Sequence, residues 1–74
     1  MSKRQLDVKG LKCPLPVLKI QKAMKSLKGG EVLEVLTTDP LAVIDVPAYC
    51  NESGNRLLSH QQKDGSDIFE IERG

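Results

Sequence analysis

The sequence predicts a two-layer α/β sandwich of order β-α-β-α-β-β, with a four-stranded mixed sheet and both helices on one face. Three observations lead there. A strand-like alternation is followed by a helical apolar stripe and then a β-branched run, all within about 35 residues, the span of a right-handed βαβ unit. Asp64-Gly65 stands between two strand-like runs, a dipeptide suited to a tight hairpin turn. Finally, 74 residues make a single domain, residues 1–74. One small sheet cannot support two cores, so both helices must cover the same face.

Each element follows from local pattern. In "RQLDVKG", Leu6 and Val8 share one face while Gln5, Asp7 and Lys9 share the other, which makes a short strand ended by Gly10. "PLPVLKIQKAMKSLK" places Val17, Ile20, Met24 and Leu27 at helical spacing with lysines between, an amphipathic helix of about four turns. Gly29-Gly30 stops it, with Lys25 and Lys28 in the last turn, where cations suit the helix dipole. "EVLEVLT" is rich in β-branched residues and apolar on both faces, so it is expected as a central strand. Asp39-Pro40 is a cap followed by a first-turn proline. Pro47 is expected to break any helix running straight through from Pro40. The expectation is therefore a short turn over 40–44, then a helix over about 46–52 capped by Asp45 and closed by Gly54. "RLLSHQQ" and "DIFEIE" are the two strands of the final hairpin.

Composition narrows the function classes. The hydrophobic fraction is 39% and the aromatics are Tyr49 and Phe69 alone, so the core is aliphatic. A core this small gives only about 3–5 kcal/mol. Two cysteines and one histidine make neither a disulfide framework nor a closed zinc site, so neither a metal nor a cofactor is expected. The net charge is +1, with the basic residues gathered in the N-terminal half. Such an asymmetry is either solvated surface or a face for an acidic protein or RNA. Nucleic-acid binding calls for aromatic stacking platforms, and two aromatics count against it. No apolar run approaches the ~20 residues of a membrane span. "MSKRQLD" lacks the apolar core of a signal peptide. The expected location is cytoplasmic, where thiols stay reduced.

The stretch with chemistry in it is "GLKCPLPVLKIQK". It puts Cys13 at the expected cap of the first helix and Pro14 at the first helical position, where a missing N–H costs nothing. Free N–H groups and the positive end of the dipole favour a thiolate, as do Lys9 and Lys12. This predicts an exposed Cys13 with a pKa below the ~8.5 of a free cysteine. Pro16 removes a further donor, so the two prolines act as a rigid mount for the thiol more than as activators. The residues alone leave a second reading open, in which Cys13 is a small buried hydrophobe. A thioredoxin-type dithiol would need a second cysteine three positions along, and position 16 is proline.

Cys13-Pro14-Leu15-Pro16 resembles the Cys-Pro-x-Pro motif of the TusA (SirA-like) family of sulfur carriers. "LDVKGLKCPLPV", "KGGEVLEVLTTDP" and "DVPAYCNESG" extend the resemblance from about Leu6 to Ile71. It implies a β-α-β-α-β-β sandwich like the C-terminal domain of bacterial translation initiation factor three. It implies too that Cys13 accepts a sulfane sulfur as a persulfide and passes it on, as a carrier rather than a turnover enzyme. The donor would be a cysteine desulfurase or a rhodanese-like protein, and the recipient a downstream sulfur-acceptor protein. Acceptors in the family serve tRNA thiolation, molybdenum-cofactor biosynthesis or sulfur oxidation. Leu15 stands where the tRNA-thiolation members often carry Glu, and Gly54-Asn55 where a Gly-His pair is common.

Lys9, Lys12 and Lys19 form the expected partner-binding surface. Cys50 falls four residues after Val46 on the apolar face of the second helix and is expected in the core, with a resolving or second sulfur-bearing role as the alternative. Asp39 and Asp45 are expected as helix caps and His60 has no assigned role. The rival to the carrier is a small regulatory or RNA- or protein-binding module with a structural Cys13.

Overall fold

The computed structural model describes residues 3–74. Its elements are β1 (Lys3–Asp7), α1 (Leu15–Met24), β2 (Val32–Thr37), α2 (Ala42–Ser53), β3 (Arg56–Lys63) and β4 (Ser66–Glu72). The sheet order is β1-β2-β4-β3, with β1 and β2 parallel and the other neighbours antiparallel. This is the expected four-stranded mixed sheet. Along β2 and β4, Leu33, Val35, Thr37, Asp67, Phe69 and Ile71 are buried, and the alternate positions are only half-buried. A period of two sends those alternate positions to the other face, so both helices cover one face and water meets the other.

β2 is central, as expected, but it is not apolar on both faces. Its uncovered side presents Val32, Glu34 and Leu36, half-buried. There Glu34 accepts a 2.8 Å hydrogen bond from Gln5 and pairs with Lys3, which also pairs with Glu70. Ser59 donates to Glu70 at 2.9 Å on the same face. These polar side chains let the open face meet water.

The core consists of Val8, Ile20, Met24, Leu27, Leu33, Val35, Ala42, Val46, Cys50, Phe69 and Ile71. α1 buries Pro16, Ile20 and Met24, while Val17, expected in that stripe, is half-buried on the flank toward α2. The helix is ten residues long and ends before its expected fourth turn. Ser26 Oγ donates to the Ala23 carbonyl at 2.8 Å, an example of a serine competing for helix backbone. The chain then tightens through Ser26 N–H to Ala23 and Leu27 N–H to Met24, which still delivers Leu27 to the core.

The second helix departs most from expectation. It runs unbroken from Ala42 to Ser53 with Pro47 inside it. Proline in a helix interior costs on the order of 3 kcal/mol through a lost hydrogen bond and a ring clash. Pro47 falls early in α2, where the bond forgone is the one to the Val43 carbonyl. Val43 lies on the exposed side, where a freed carbonyl is readily hydrated. Val46 and Cys50, fully buried one turn apart, hold the helix on the sheet.

β3 and β4 meet through Asp64-Gly65, both at positive φ (52° and 77°), the conformation a two-residue hairpin turn matched to strand twist requires. A bulge at Leu58 in β3 shifts the register, so that His60 opposes Phe69 and lies on the covered face. Its ring stacks on Phe69 at 4.3 Å, and its Nε2 lies 2.9 Å from Asp67 Oδ1. Among the described residues, no helix is long and apolar enough to cross a membrane and no group of acidic, histidine and cysteine side chains could hold a metal ion.

Candidate functional site

Because β1 and β2 run parallel, the loops entering α1 and α2 emerge at the same end of the sheet. That is where open α/β sheets build sites. The first loop leaves β1 through Val8, whose N–H bonds the Leu36 carbonyl at 2.8 Å. Gly10, at φ 85°, turns the chain and donates its N–H to Thr38 Oγ1 at 2.9 Å. Lys12 to Leu15 then form a turn closed by a 2.9 Å bond from Leu15 N–H to the Lys12 carbonyl, with the Cys13–Pro14 peptide cis. Pro14 is the N-cap of α1, and Cys13 precedes it. The expected positions thus shift by one: Pro14 occupies the cap, Leu15 opens the helix and Pro16 is buried in the first turn.

Asp39 fixes this loop. It is 6% exposed, and both of its carboxylate oxygens are engaged. Oδ2 accepts the Cys13 N–H at 2.7 Å and Oδ1 accepts the Leu41 N–H at 3.1 Å. The Asp39 carbonyl takes the Ala42 N–H at 3.0 Å, and its own N–H donates to Thr37 Oγ1 at 3.2 Å. Asp39 therefore secures the start of α2, as a cap would, and ties the Cys13 loop to it.

Cys13 is exposed and opens onto two clefts. One lies between the two loops, lined by Gly10, Leu11, Lys12, Thr38 and Leu41. The other lies between the helices, lined by Pro14, Val17, Asp45, Ala48 and Glu52 among others. Asp45 lines the second cleft together with the thiol. The hydrogen-bonding pull of its carboxylate on the thiol proton, with some desolvation and the negative charges of Asp45 and Asp39, pushes the Cys13 pKa up. The expected depression is overturned. Pro14 and Pro16 have no N–H, and Leu15 gives its own to Lys12, so few first-turn donors remain to stabilise a thiolate. Two nearby carboxylates instead favour the protonated form.

Lys12 is exposed in the first cleft beside Cys13. Lys9, also exposed, lies 3.9 Å from Asp7. Lys19 is exposed on α1, about 200° around the helix from Val17 and so away from the groove. The two loops thus bring Cys13, Lys12, Asp39 and Asp45 together and leave Lys19 outside. Cys50 is buried in the core and burial pushes its thiol up. Reading the residues by local pattern missed the Asp45–thiol contact. An acid in the first turn of the helix that starts beside the cysteine loop is the signal that would have found it. It also missed the exposed apolar side chains of Leu15, Leu41 and Ile44 at the two helix starts.

Comparison with known proteins bears on this arrangement. The family model described as "Sulfurtransferase TusA" matches residues 4–73. The chain is 37% identical over 70 residues to the sulfur carrier protein TusA of Allochromatium vinosum, covering 95% of this chain and 92% of that one. It is 37% identical over 68 residues to the sulfur carrier protein TusA of Pseudomonas putida strain F1, covering 92% and 85%. The crystal structure of a SirA-like protein from Desulfitobacterium hafniense superposes with a TM-score of 0.85 at 25% identity, covering 99% of each chain.

Proposed function

The chain belongs to the TusA sulfurtransferase family, and from that premise we propose that it is a sulfur carrier whose working atom is the Sγ of Cys13. The observation behind the assignment to Cys13 is exposure. Of the two thiols, Cys13 faces solvent at the meeting of two clefts while Cys50 is sealed in the core. A carrier must meet a donor and then an acceptor, so its sulfur has to project from a fixed mount. Asp39 holds the Cys13 main chain, and Pro14 and Pro16 stiffen the path into α1.

Loading transfers a sulfane sulfur from a donor persulfide to Cys13. The donor is a cysteine desulfurase or a rhodanese-like protein, and a downstream acceptor protein takes the sulfur off. The chain works in the cytoplasm as a carrier and not as a turnover enzyme. Lys12 beside the thiol, with Lys9 and Lys19 farther out on the same basic N-terminal half, supplies positive charge that speeds encounter with an acidic donor surface. Leu15, Leu41 and Ile44 add an apolar surface that a partner can bury. Direct nucleic-acid binding is not expected. Phe69 is buried, and Tyr49, half-buried, accepts a 3.1 Å hydrogen bond from Asn55 Nδ2. That leaves a single, half-buried ring where single-strand binding would use several exposed ones. The reading of Cys13 as a structural residue in a binding module requires a buried thiol, against which its exposure argues. The test is intact mass after incubation with a cysteine desulfurase and cysteine, with a gain of one sulfur atom expected. A chain that stays unmodified with desulfurases and rhodaneses alike would favour the binding module.

A further inference from the structure

We propose that Asp45 is the proton acceptor for Cys13 when sulfur is loaded and the proton donor when it is handed on, an inference that rests on the carrier reading of Cys13.

Asp45 sits in the first turn of α2, half-buried, on the wall of the helix–helix groove that Cys13 also lines. The Cys13 thiol and the Asp45 carboxylate face the same groove, and the carboxylate's pull on the thiol proton raises the thiol's pKa. Among the described residues no other donor reaches it through a side-chain bond or an ion pair. Asp39, the other carboxylate at the site, has one oxygen on the Cys13 N–H and the other on the Leu41 N–H, which fits it for holding the loop. The remaining charged groups facing the thiol are Lys12 from its own loop and Glu52 farther along α2, while α1 contributes the neutral Val17 and Gln21. Asp45 is the carboxylate beside the thiol whose oxygens no other side-chain bond or ion pair of the described residues engages.

The chemistry needs such a base. With the thiol pushed up in pKa, Cys13 is protonated at neutral pH and a weak nucleophile. In loading, Sγ of Cys13 bonds to the outer sulfur of the donor persulfide. The donor's S–S bond breaks, and its electron pair leaves on the donor thiolate. The Cys13 proton moves to Asp45 and passes from there to the leaving thiolate. One thiol and one persulfide become one persulfide and one thiol, with no oxidant or reductant. In unloading, an acceptor thiol gives its proton to Asp45 as its sulfur attacks the outer sulfur. The Cys13 S–S bond breaks, its electron pair leaves on Sγ, and Asp45 returns that proton to Sγ. A resting thiol kept protonated is also less open to oxidation, because oxidation follows thiolate character.

A merely structural Asp45 would act as a first-turn acid complementing the α2 dipole, or as a charge that suppresses the thiolate. Two rates separate these roles. Loading from a desulfurase persulfide and alkylation by iodoacetamide are measured at Cys13 by peptide mass spectrometry for wild type, Asp45→Asn and Asp45→Glu. The expected result is opposite movement in Asp45→Asn. Its Cys13 titrates at lower pH and alkylates faster at neutral pH, yet loads about 100-fold more slowly, in the range general bases contribute. Asp45→Glu recovers part of the loading. If Asp45→Asn loads as fast as wild type, or faster in step with its alkylation, the inference is overturned. Should Asp45→Asn fail to fold, Asp45→Ala with added formate carries the test, and absence of rescue overturns the inference. Wild type that never loads would overturn the carrier reading itself, and this inference with it.

Discussion

The Cys13 N–H and the Asp39 carboxylate, 26 residues apart in the chain, form a 2.7 Å hydrogen bond. It is the tie between the two loops at the end of the parallel pair, and it makes the position of the thiol a property of the β2–α2 connection as much as of its own motif. Two stretches matched in the family resemblance, the one around Cys-Pro-x-Pro and the one ending in Asp-Pro, meet at this bond.

Asp39 is therefore expected to serve both stability and placement. Asp39→Ala leaves the Cys13 and Leu41 N–H groups without their acceptor and should cost about 2–4 kcal/mol, as charged hydrogen bonds at buried sites do. Urea denaturation measures the loss. Hydrogen exchange at the Cys13 amide should quicken relative to the core strands. A variant with unchanged stability and unchanged Cys13 protection would show that the bond does not organise the loop.

The thiol titration has a definite sign. Asp45 and Asp39 push the Cys13 pKa up. A pH series of iodoacetamide alkylation should therefore give a midpoint above that of a free cysteine. The folded chain holds this proton more tightly than the unfolded chain does. The resulting contribution to stability is full below the unfolded pKa and is lost as pH rises through the folded one. A midpoint at or below the ordinary thiol value would mean that Asp45 does not engage the thiol in solution.

Charge reversal tests the approach of partners. Lys12→Glu should slow loading the most, since Lys12 shares a cleft with Cys13, with smaller effects at Lys9 and Lys19. Salt should slow the wild type and narrow the gap between it and the variants. Stability should change by less than about 1 kcal/mol, because exposed charges contribute little to folding. Loading rates indifferent to both salt and charge would remove the lysines from the partner surface.

How much of this was legible in the sequence depends on the range of the cause. The hairpin at Asp64-Gly65, the central β2 and the buried Cys50 follow from local pattern, because turn chemistry and periodicity act over a few residues. Pro47 misled, since whether a helix tolerates proline depends on which carbonyl it frees and on the burial of Val46 and Cys50 beside it. α1 falls short of its expected four turns because Ser26 caps back onto Ala23. The thiol's place in the motif was legible but its acidity was not. That is set by Asp45 and Asp39, which reach Cys13 only once β1 and β2 pair in parallel.

The measurement that bears most directly on the account is intact and peptide-resolved mass spectrometry of three proteins, each incubated with a cysteine desulfurase and cysteine. Wild type should gain one sulfur atom, located on the peptide that contains Cys13. Cys50→Ala, which loses about 1 kcal/mol by truncating a core side chain, should still load. Cys13→Ser should stay unloaded while keeping its fold, since its side chain faces solvent. Sulfur found on Cys50, or loading that persists in Cys13→Ser, would contradict the assignment of Cys13 as the carrier.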